Sequence, residues 1–192
     1  MVRRHPLVDL PPRPALSYAA PVATFILTVL GDDRPGLVSA LSAPVSAHGG
    51  SWERSELARL AGKFAGIAVV TVPDAAASAL ATDLDALADQ GLQVLVERTD
   101  EQPEPASVTV TLDLLGADHP GIVAEISAIL AAHGVNIEEL STDVRDAPMA
   151  GGSLFEAHAV LSAPPSTSTD ELRSTLEELA DELMVEIRLT DE

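Results

Sequence analysis

The residues best suited to chemistry form a short element that occurs twice, Gly31-Asp-Asp-Arg-Pro-Gly36 and Gly116-Ala-Asp-His-Pro-Gly121. Each copy lies between a segment of alternating apolar residues and an apolar stripe of helical spacing, which predicts a turn between a strand and a helix. Free main-chain amides at the start of a helix, beside a glycine that permits close approach, make an anion site. One interpretation is therefore a site for the carboxylate of a small metabolite.

The same residues also have an ordinary structural interpretation. Asp33 and Asp118 can cap orphan helix amides, and Pro35 and Pro120 suit the first helical turn. The spacing alone leaves open whether the element binds a ligand or only starts a helix well. In the ligand interpretation, Asn136 at the start of the next strand could accept a hydrogen bond from the amino group of the ligand.

The two elements belong to a long internal repeat. Leu27–Glu53 aligns with Leu112–Glu138 at a constant offset of 85, with 13 of 27 positions identical. The offset grows to 91 by Phe64 and Phe155, which predicts a six-residue insertion in a surface loop near Asp146–Gly152. Because a period of 85 exceeds the roughly 20–50 residues of solenoid repeats, each copy should be a small domain with its own core.

Hydrophobic periodicity predicts the same order of elements, βαββαβ, in both copies. A period-two strand leads into a helical stripe that ends at Gly49 or Gly134, where glycine suits a helix C-terminus. In the first copy we expect strands over 51–60, 64–72 and 92–98, and a helix over 75–90 with Asp74 as its N-cap. In the second copy we expect strands over 136–144, 155–163 and 185–189, and a helix that begins with a capping box at Ser168 and Glu171.

This order predicts an α+β fold of two ferredoxin-like units, each an antiparallel sheet with both helices on one face. The other face needs water, a partner or the sister domain, and the third strand of the first copy is apolar on both sides, so we expect it to be covered. The predicted organisation is a Pro-rich N-terminal tail (1–21), a first domain (22–98), an acidic linker (99–106) and a second domain (107–192).

Composition excludes several classes of function. The 192 residues include 30 Asp+Glu against 11 Lys+Arg, a formal charge of -19, and no cysteine. This charge opposes direct binding to nucleic acid or to anionic membranes. The lack of cysteine excludes disulfides, thiolate metal sites and cysteine nucleophiles. The five histidines show no metal-ligand spacing, and no P-loop, nucleophile elbow or dinucleotide fingerprint occurs, so we expect no metal, no cofactor and no enzymatic activity.

The most apolar segment, over 15–30, contains Pro21, Thr24 and Thr28 and is shorter than the ~20 apolar residues that a membrane span needs. The N-terminal segment has prolines and Asp9 where the apolar part of a secretory leader would lie. We therefore expect a cytoplasmic protein.

The strand, the Asp-x-Pro-Gly-hydrophobic turn, the helix and the His-Gly-x-Asn-Ile-Glu sequence resemble the ACT domain. The duplicated form with little else attached is similar to the glycine cleavage system transcriptional repressor family. This resemblance, which covers nearly all of 22–189, implies a protein that senses a small amino acid rather than transforming it. It also implies a ligand held where the first helix of one unit meets a strand of another, a homo-oligomer, and a protein partner that is a DNA-binding regulator or a metabolic enzyme.

The family's site residues carry over onto matching positions in both copies. These positions are Asp118, His119, Pro120, Gly121, Ile122, Asn136 and Ile137 in the second copy, and Asp33, Arg34, Pro35, Gly36 and Leu37 in the first.

The first copy departs from the pattern at three positions. Ser51 and Trp52 stand where the second copy has Asn136 and Ile137, and serine reaches less far than asparagine. Pro44 falls inside the first helix, where it removes a backbone hydrogen bond and should kink or break the helix. We therefore expect the second copy to carry the better site. Two other functions stay open: a dimerisation scaffold that binds no ligand, and a regulatory subunit that acts in trans on a metabolic enzyme.

Overall fold

A computed structural model of the chain describes residues 21–99, 107–146, 152–183 and 185–191. All but the last residue of the predicted tail, all but the end residues of the predicted insertion loop, and all but the first residue of the predicted linker lie outside these ranges. The chain divides into two compact units, Met1–Gln102 and Pro103–Glu192, which we call domain 1 and domain 2. None of the described helices has the length and apolar character needed to cross a membrane.

Both domains have the order βαββαβ. Domain 1 contains β1 (Val22–Asp32), α1 (Leu37–Ala47), β2 (Ser51–Leu60), β3 (Lys63–Pro73), α2 (Ala77–Asp85) and β4 (Leu92–Thr99). Domain 2 contains β5 (Val108–Ala117), α3 (Ile122–Ala132), β6 (Asn136–Asp146), β7 (Ser153–Ala163), α4 (Thr169–Leu183) and β8 (Val185–Asp191). The antiparallel sheets have the orders β2-β3-β1-β4 (sheet 1) and β6-β7-β5-β8 (sheet 2), so the predicted α+β, ferredoxin-like fold is confirmed.

Each core lies between the helices and one face of the sheet. In domain 1 the inward residues of the central strands, such as Leu27 and Val70, pack with Leu41 of α1 and Leu80 of α2, and all four are fully buried. The opposite face of the sheet, which we call the open face, is not covered in the same way. Ile67 in β3 is 52% exposed, so the helices of domain 1 leave this part of the strand uncovered. The expected covering of the strand on both sides stays a prediction.

The edge strands β2 and β6 explain the weak alternation in their sequences. Each forms only one ladder, with β3 or β7, and almost all of their residues are exposed or half-buried. Their registers shift between Trp52 and Arg54 and between Ile137 and Glu139, as at a β-bulge. Because a bulge moves the following residues to the other face, one alternating pattern cannot extend along the whole strand.

The helices differ from the prediction at two positions and agree at one. Asp74 begins a 3-10 turn before α2 without capping a helix, and its carboxylate accepts a hydrogen bond from Arg98 at 2.7 Å. Helix α1 continues through Pro44 to Ala47, so the predicted break is wrong. The proline lies in the last turns of the helix, where it deprives one carbonyl of its usual donor. The hydroxyl of Ser168 accepts the amide N–H of Glu171 at 3.3 Å, which confirms the predicted cap.

Candidate functional site

The repeated Gly-x-Asp-x-Pro-Gly element connects β1 to α1 and β5 to α3. We call its turn residues loop 1 (33–36) and loop 2 (118–121). The amide N–H of Asp33 donates to the carbonyl of Gly62 at 2.9 Å, and that of Asp118 donates to the carbonyl of Ser153 at 2.9 Å. Each loop is therefore held against the hairpin between the second and third strands of its own domain.

Both helices start at a left-handed glycine. Gly36 has φ 91° and Gly121 has φ 105°, and their carbonyls accept the first helical hydrogen bonds, from Ala40 at 2.8 Å and Glu125 at 3.0 Å. No side chain caps either helix. The first-turn amides, which have no partner inside a helix, are thus left for another acceptor.

The expected roles of the aspartates and prolines in these loops need correction. The aspartates lie three residues before the N-cap position, so they cannot cap the helix, and the carboxylate of Asp33 instead lies 3.5 Å from the guanidinium of Arg59. Pro35 and Pro120 directly precede the N-cap glycine and lie in the turn rather than in the first turn of the helix. They restrict the chain before the helix begins.

The helix start in domain 1 is open. A Cβ placed on Gly36 would meet no atom within 4 Å, and the first turn of α1 has no acidic residue. The guanidinium of Arg34 donates to the carbonyl of Gln90 at 2.9 Å, which holds this cation beside the loop. Arg59 lies against the Asp33 carboxylate, so the corner combines free amides and open space with one cation, Arg34, that no carboxylate is shown to neutralise, and these favour an anion.

The helix start in domain 2 already has a carboxylate beside it. Glu125 lies in the first turn of α3, and its Oε1 lies 3.2 Å from the position that a Cβ on Gly121 would take. The same position in domain 1 is Ala40. Next to it, the Nδ1 of His119 lies 3.3 Å from the carbonyl of Pro120, and its Nε2 is buried without a hydrogen-bond partner among the described residues. Loop 2 is thus more crowded and more acidic than loop 1.

Asn136 does not lie beside loop 2 within its own domain. Helix α3 separates them, and its 11 residues at about 1.5 Å each span roughly 16 Å. Loop 2 bonds to Ser153 at one end of β7, whereas Asn136 pairs with Ser162 near the other end. A single-domain pocket formed by loop 2 and Asn136 is therefore excluded. The sequence interpretation missed this separation because loop 2 and Asn136 are close along the chain, whereas helix α3 between them carries the chain to the other end of the sheet.

The same separation holds in domain 1, where Ser51 pairs with Thr71 and loop 1 bonds to Gly62 at the opposite end of β3. Of the predicted residues, the structure therefore brings together 33–37 in one domain and 118–122 in the other. It places Ser51 at the end of sheet 1 far from loop 1, and it places Asn136 and Ile137 at the end of sheet 2 far from loop 2.

A groove beside α1 was not expected from the sequence. It has a volume of about 280 Å³ and is lined by the serines of α1 (Ser39, Ser42 and Ser46) together with Gly50 and Trp52. The serines follow helical spacing, so their common face was readable in the sequence. In domain 2 a cavity of only about 30 Å³, which is almost entirely apolar, includes Ser127, Leu130 and Ile137, the counterparts of Ser42, Val45 and Trp52.

A concavity of about 640 Å³ lies on the open face of sheet 2, and no residue of loop 2 lines it. Its centre carries Asp113 and His158, whose Oδ1 and Nδ1 atoms are 2.7 Å apart. No group of three or more His, Asp or Glu side chains in the described ranges is placed to hold a metal ion.

One carboxyl group next to loop 1 has a clearly shifted pKa. A hydrogen bond from Lys63, and the charge of that side chain, hold the pKa of Asp32 below its ordinary value. Asp32 is the last residue of β1, so the strand enters loop 1 with an ionised carboxylate that is already paired.

Comparison with known proteins gives the same result for both halves of the chain. Sequence models described as ACT domain match residues 23–97 and 110–182. The chain is 29% identical over 162 residues, 82% of its length, to the glycine cleavage system transcriptional repressor of Escherichia coli (strain K12), of which the match covers 84%. It is 38% identical over 76 residues to UPF0237 protein MK1213 of Methanopyrus kandleri, covering 38% of this chain and 77% of that one.

Among solved structures, the chain is similar to a protein of unknown function from Galdieria sulphuraria. The TM-score is 0.80 with 30% identity, and the match covers 90% of this chain and 99% of the other. Together these similarities support a regulatory role that involves binding a small molecule.

Proposed function

This chain belongs to the ACT domain family through both of its domains, and on that premise we propose that it is a non-enzymatic regulatory protein that binds a small amino acid. The observation that carries the proposal is the uncapped start of α1 behind the left-handed Gly36. A ligand carboxylate placed there accepts hydrogen bonds from the first-turn amides and is stabilised by the positive end of the helix dipole.

The separation of loop and strand start determines what a complete site requires. We propose that the loop of one ACT unit and the strand start of another hold the ligand together, with the Asn136 side chain accepting a hydrogen bond from the ligand ammonium. Binding then depends on how units associate, so occupancy shifts the balance between two arrangements. A coupling free energy of about 1–3 kcal/mol suffices for such a regulator.

We propose that loop 1 binds the carboxylate more tightly than loop 2, which reverses the expectation from the sequence. At loop 2 the carboxylate of Glu125 competes with the ligand for the same positive potential, whereas Ala40 leaves loop 1 free of this repulsion. Ser51 and Asn136 then serve as the matching residues at the strand starts.

We propose that the partner is a DNA-binding regulatory protein rather than DNA. The relative from Escherichia coli is named a transcriptional repressor. A formal charge of -19 repels a phosphate backbone and favours a basic protein surface. Affinity capture with the full chain from its native cells, in a cytoplasmic extract, tests this. Recovery of a DNA-binding protein supports the proposal, whereas recovery of a metabolic enzyme alone points to regulation in trans and overturns it.

Thermal melts of the full chain with each of the 20 amino acids test ligand binding. A ligand that binds only the folded state stabilises it more and more as the ligand concentration rises above the dissociation constant, and the melting temperature rises accordingly. At a concentration of 100 times the dissociation constant the stabilisation is about 2.7 kcal/mol. The amide of the same amino acid, which lacks the carboxylate, should give no shift. If no amino acid raises the melting temperature, the sensor proposal is wrong and a dimerisation scaffold replaces it.

The strand starts are tested with Asn136→Ala and Ser51→Ala. Both side chains are exposed, so neither substitution should change the melting temperature of the ligand-free chain. Loss of the ligand-induced shift in at least one variant supports the two-unit site. An unchanged shift in both removes the strand starts from the site while leaving the loops in place.

A further inference from the structure

The four edges of the two sheets differ in how they are protected from pairing with a further strand. The edge strands β2 and β6 carry register shifts, and a bulge at an edge disturbs the ladder that a further strand would need. Strand β8 pairs with β5 without a shift, from Val185 to Asp191. It lies at the end of sheet 2, and its outer edge meets no strand in the described part of the chain. Such an edge presents main-chain N–H and C=O groups to a partner strand.

Two opposite charges on β8 have no partner within the chain. Glu186 and Arg188 are exposed and lie two residues apart, so both side chains project from the same face of sheet 2. Neither makes an ion pair or a hydrogen bond through its side chain among the residues that the structure describes. The neighbour of Arg188 on β5 is Asp113, whose carboxylate instead lies 2.7 Å from His158. The two charges on β8 are therefore available to another molecule.

The order of these charges makes β8 complementary to itself. Antiparallel pairing of two copies about a two-fold axis at Ile187 sets Glu186 of each copy opposite Arg188 of the other, so the ion pair forms twice. Moving the centre by one residue sets Glu186 against Glu186, or Arg188 against Arg188. Opposite charges directly across a ladder stabilise it and like charges destabilise it. The charges therefore favour a single register, the one centred on Ile187.

Strand β4, the corresponding edge of sheet 1, also pairs without a register shift but lacks this property. Its residues on the open face include Gln93, Leu95 and Glu97, and Arg98 lies on the other face, where it bonds Asp74. No centre of antiparallel pairing brings opposite charges together on either face of β4. The self-complementary pattern is thus specific to domain 2 and is not a general property of the fold.

We propose that β8 is a self-association edge, through which sheet 2 of one copy joins sheet 2 of a second copy in a single eight-stranded antiparallel sheet. Main-chain hydrogen bonds between the two strands supply affinity, as in other cases of strand addition, and the two ion pairs between Glu186 and Arg188 set the register. Open sheets of eight strands are within the ordinary range of sizes.

The length of the ladder determines the strength to expect. In this register residues 185–189 of one copy pair with residues 189–185 of the other, which is an ordinary strand length of about five residues. The guanidinium of Arg173 donates to the carbonyl of Leu189 at 3.3 Å, at one end of this ladder. A carbonyl oxygen has two lone pairs, so it still accepts a hydrogen bond from the second copy. So small a contact belongs to the weak class of interfaces, and the dimer should depend on concentration.

Charge exchange on β8 tests the proposal. Sedimentation velocity of the full chain between about 5 and 500 μM, a range suited to a weak interface, should show a dimer of the wild type. Glu186→Arg sets two arginines opposite each other and Arg188→Glu sets two glutamates opposite each other, so each variant alone should dimerise at least tenfold more weakly. An equimolar mixture of the two variants restores opposite charges at both positions. This mixture should dimerise about as well as the wild type.

The matched controls are Gln93→Arg and Leu95→Glu, which introduce charges at the corresponding positions of β4. Both residues are exposed, as are Glu186 and Arg188, so all four variants should fold, and circular dichroism melts check this. The two β4 variants should leave the dimer unchanged. An effect of these controls equal to that of the β8 variants contradicts pairing through β8.

Three other outcomes overturn the proposal. The first is a wild-type chain that stays monomeric at the highest concentration, and the second is a dimer that neither β8 variant weakens. The third is a mixture that fails to recover the dimer lost in both variants, which indicates that β8 pairs with a different strand. None of these variants alters loop 1, loop 2 or the strand starts, so the ligand melts and the sedimentation experiments can fail independently.

Discussion

Exchanging one residue between the two helix starts should exchange their affinities for a carboxylate. Ala40 and Glu125 occupy the same position in the two copies, and only Glu125 brings its own carboxylate to the N-cap glycine, at 3.2 Å from the Cβ position. We expect Glu125→Ala to strengthen ligand binding at loop 2 and Ala40→Glu to weaken it at loop 1. Both changes exchange good helix formers, so both variants should fold.

The size of the effect follows from Coulomb's law. A ligand carboxylate at the first-turn amides would lie roughly 5 Å from the carboxylate of residue 125, which corresponds to a repulsion of about 1 kcal/mol at the dielectric constant of water and about 3 kcal/mol at an effective value of 20. Glu125 is exposed, so the lower figure applies. One kcal/mol is about a fivefold change in the dissociation constant.

Isothermal titration with the amino acid found in the melts measures this change in the wild type and both variants. At about 1 M salt the difference should largely disappear, because the screening length falls to about 3 Å. If Ala40→Glu leaves the dissociation constant unchanged, or if both substitutions move it in the same direction, the ligand carboxylate does not sit at these helix starts. The double variant should bind about as wild type does, with the roles of the two loops exchanged.

Further predictions concern stability. Lys63→Gln should raise the pKa of Asp32 towards its ordinary value, measured by carbon NMR of the carboxyl group. Because that pKa is lowered in the folded state, the pair stabilises the fold fully above the ordinary aspartate pKa and loses this effect as the pH falls through the lowered pKa, so the variant should differ most from wild type above about pH 4 and progressively less below it. Leu80→Ala should destabilise domain 1, and Leu176→Ala domain 2, each by about 2–5 kcal/mol in urea unfolding, since both side chains are fully buried. Pro44→Ala should stabilise domain 1 by about 1 kcal/mol in the same assay, because it restores a helical hydrogen bond.

The fold could be predicted well from the sequence because the same order of strands and helices was visible in both copies of the repeat. The strands predicted over 51–60 and 136–144 alternate poorly in sequence, and the structure shows both as edge strands with a register shift. Local signals were less reliable at helix ends. Asp33 and Asp74 both have the residue type of an N-cap, yet both carboxylates bind arginines instead, since competing partners are not visible in a local pattern.

The candidate site was predicted in its residues but not in its geometry. Residues 33–37 and 118–122 do form loops at helix starts, as the Asp-x-Pro-Gly spacing indicated. The distance from loop 2 to Asn136 was not readable, because it depends on the direction in which α3 returns across the sheet. Likewise, the sequence shows that Glu125 lies four residues after Gly121. It does not show that the Glu125 carboxylate lies beside Gly121, because this depends on the conformation of the glutamate side chain.

The two domains share a backbone and differ where the backbone meets other molecules. The buried positions of the two cores carry equivalent apolar residues, such as Leu27 and Leu112 or Leu41 and Ile126. The differences fall at the helix start, in the groove beside the first helix, and on the open face of the sheet. Duplication alone would produce two equivalent units, whereas Ile67, Thr28 and Leu95 on the open face of sheet 1 correspond to His158, Asp113 and Arg188 on that of sheet 2. Divergence restricted to surfaces is the pattern expected when the two helix starts bind a carboxylate with unequal strength. Each domain therefore serves as a control for the other. When equivalent residues, such as Ala40 and Glu125, are exchanged between the domains, an effect on ligand binding can be distinguished from an effect on folding.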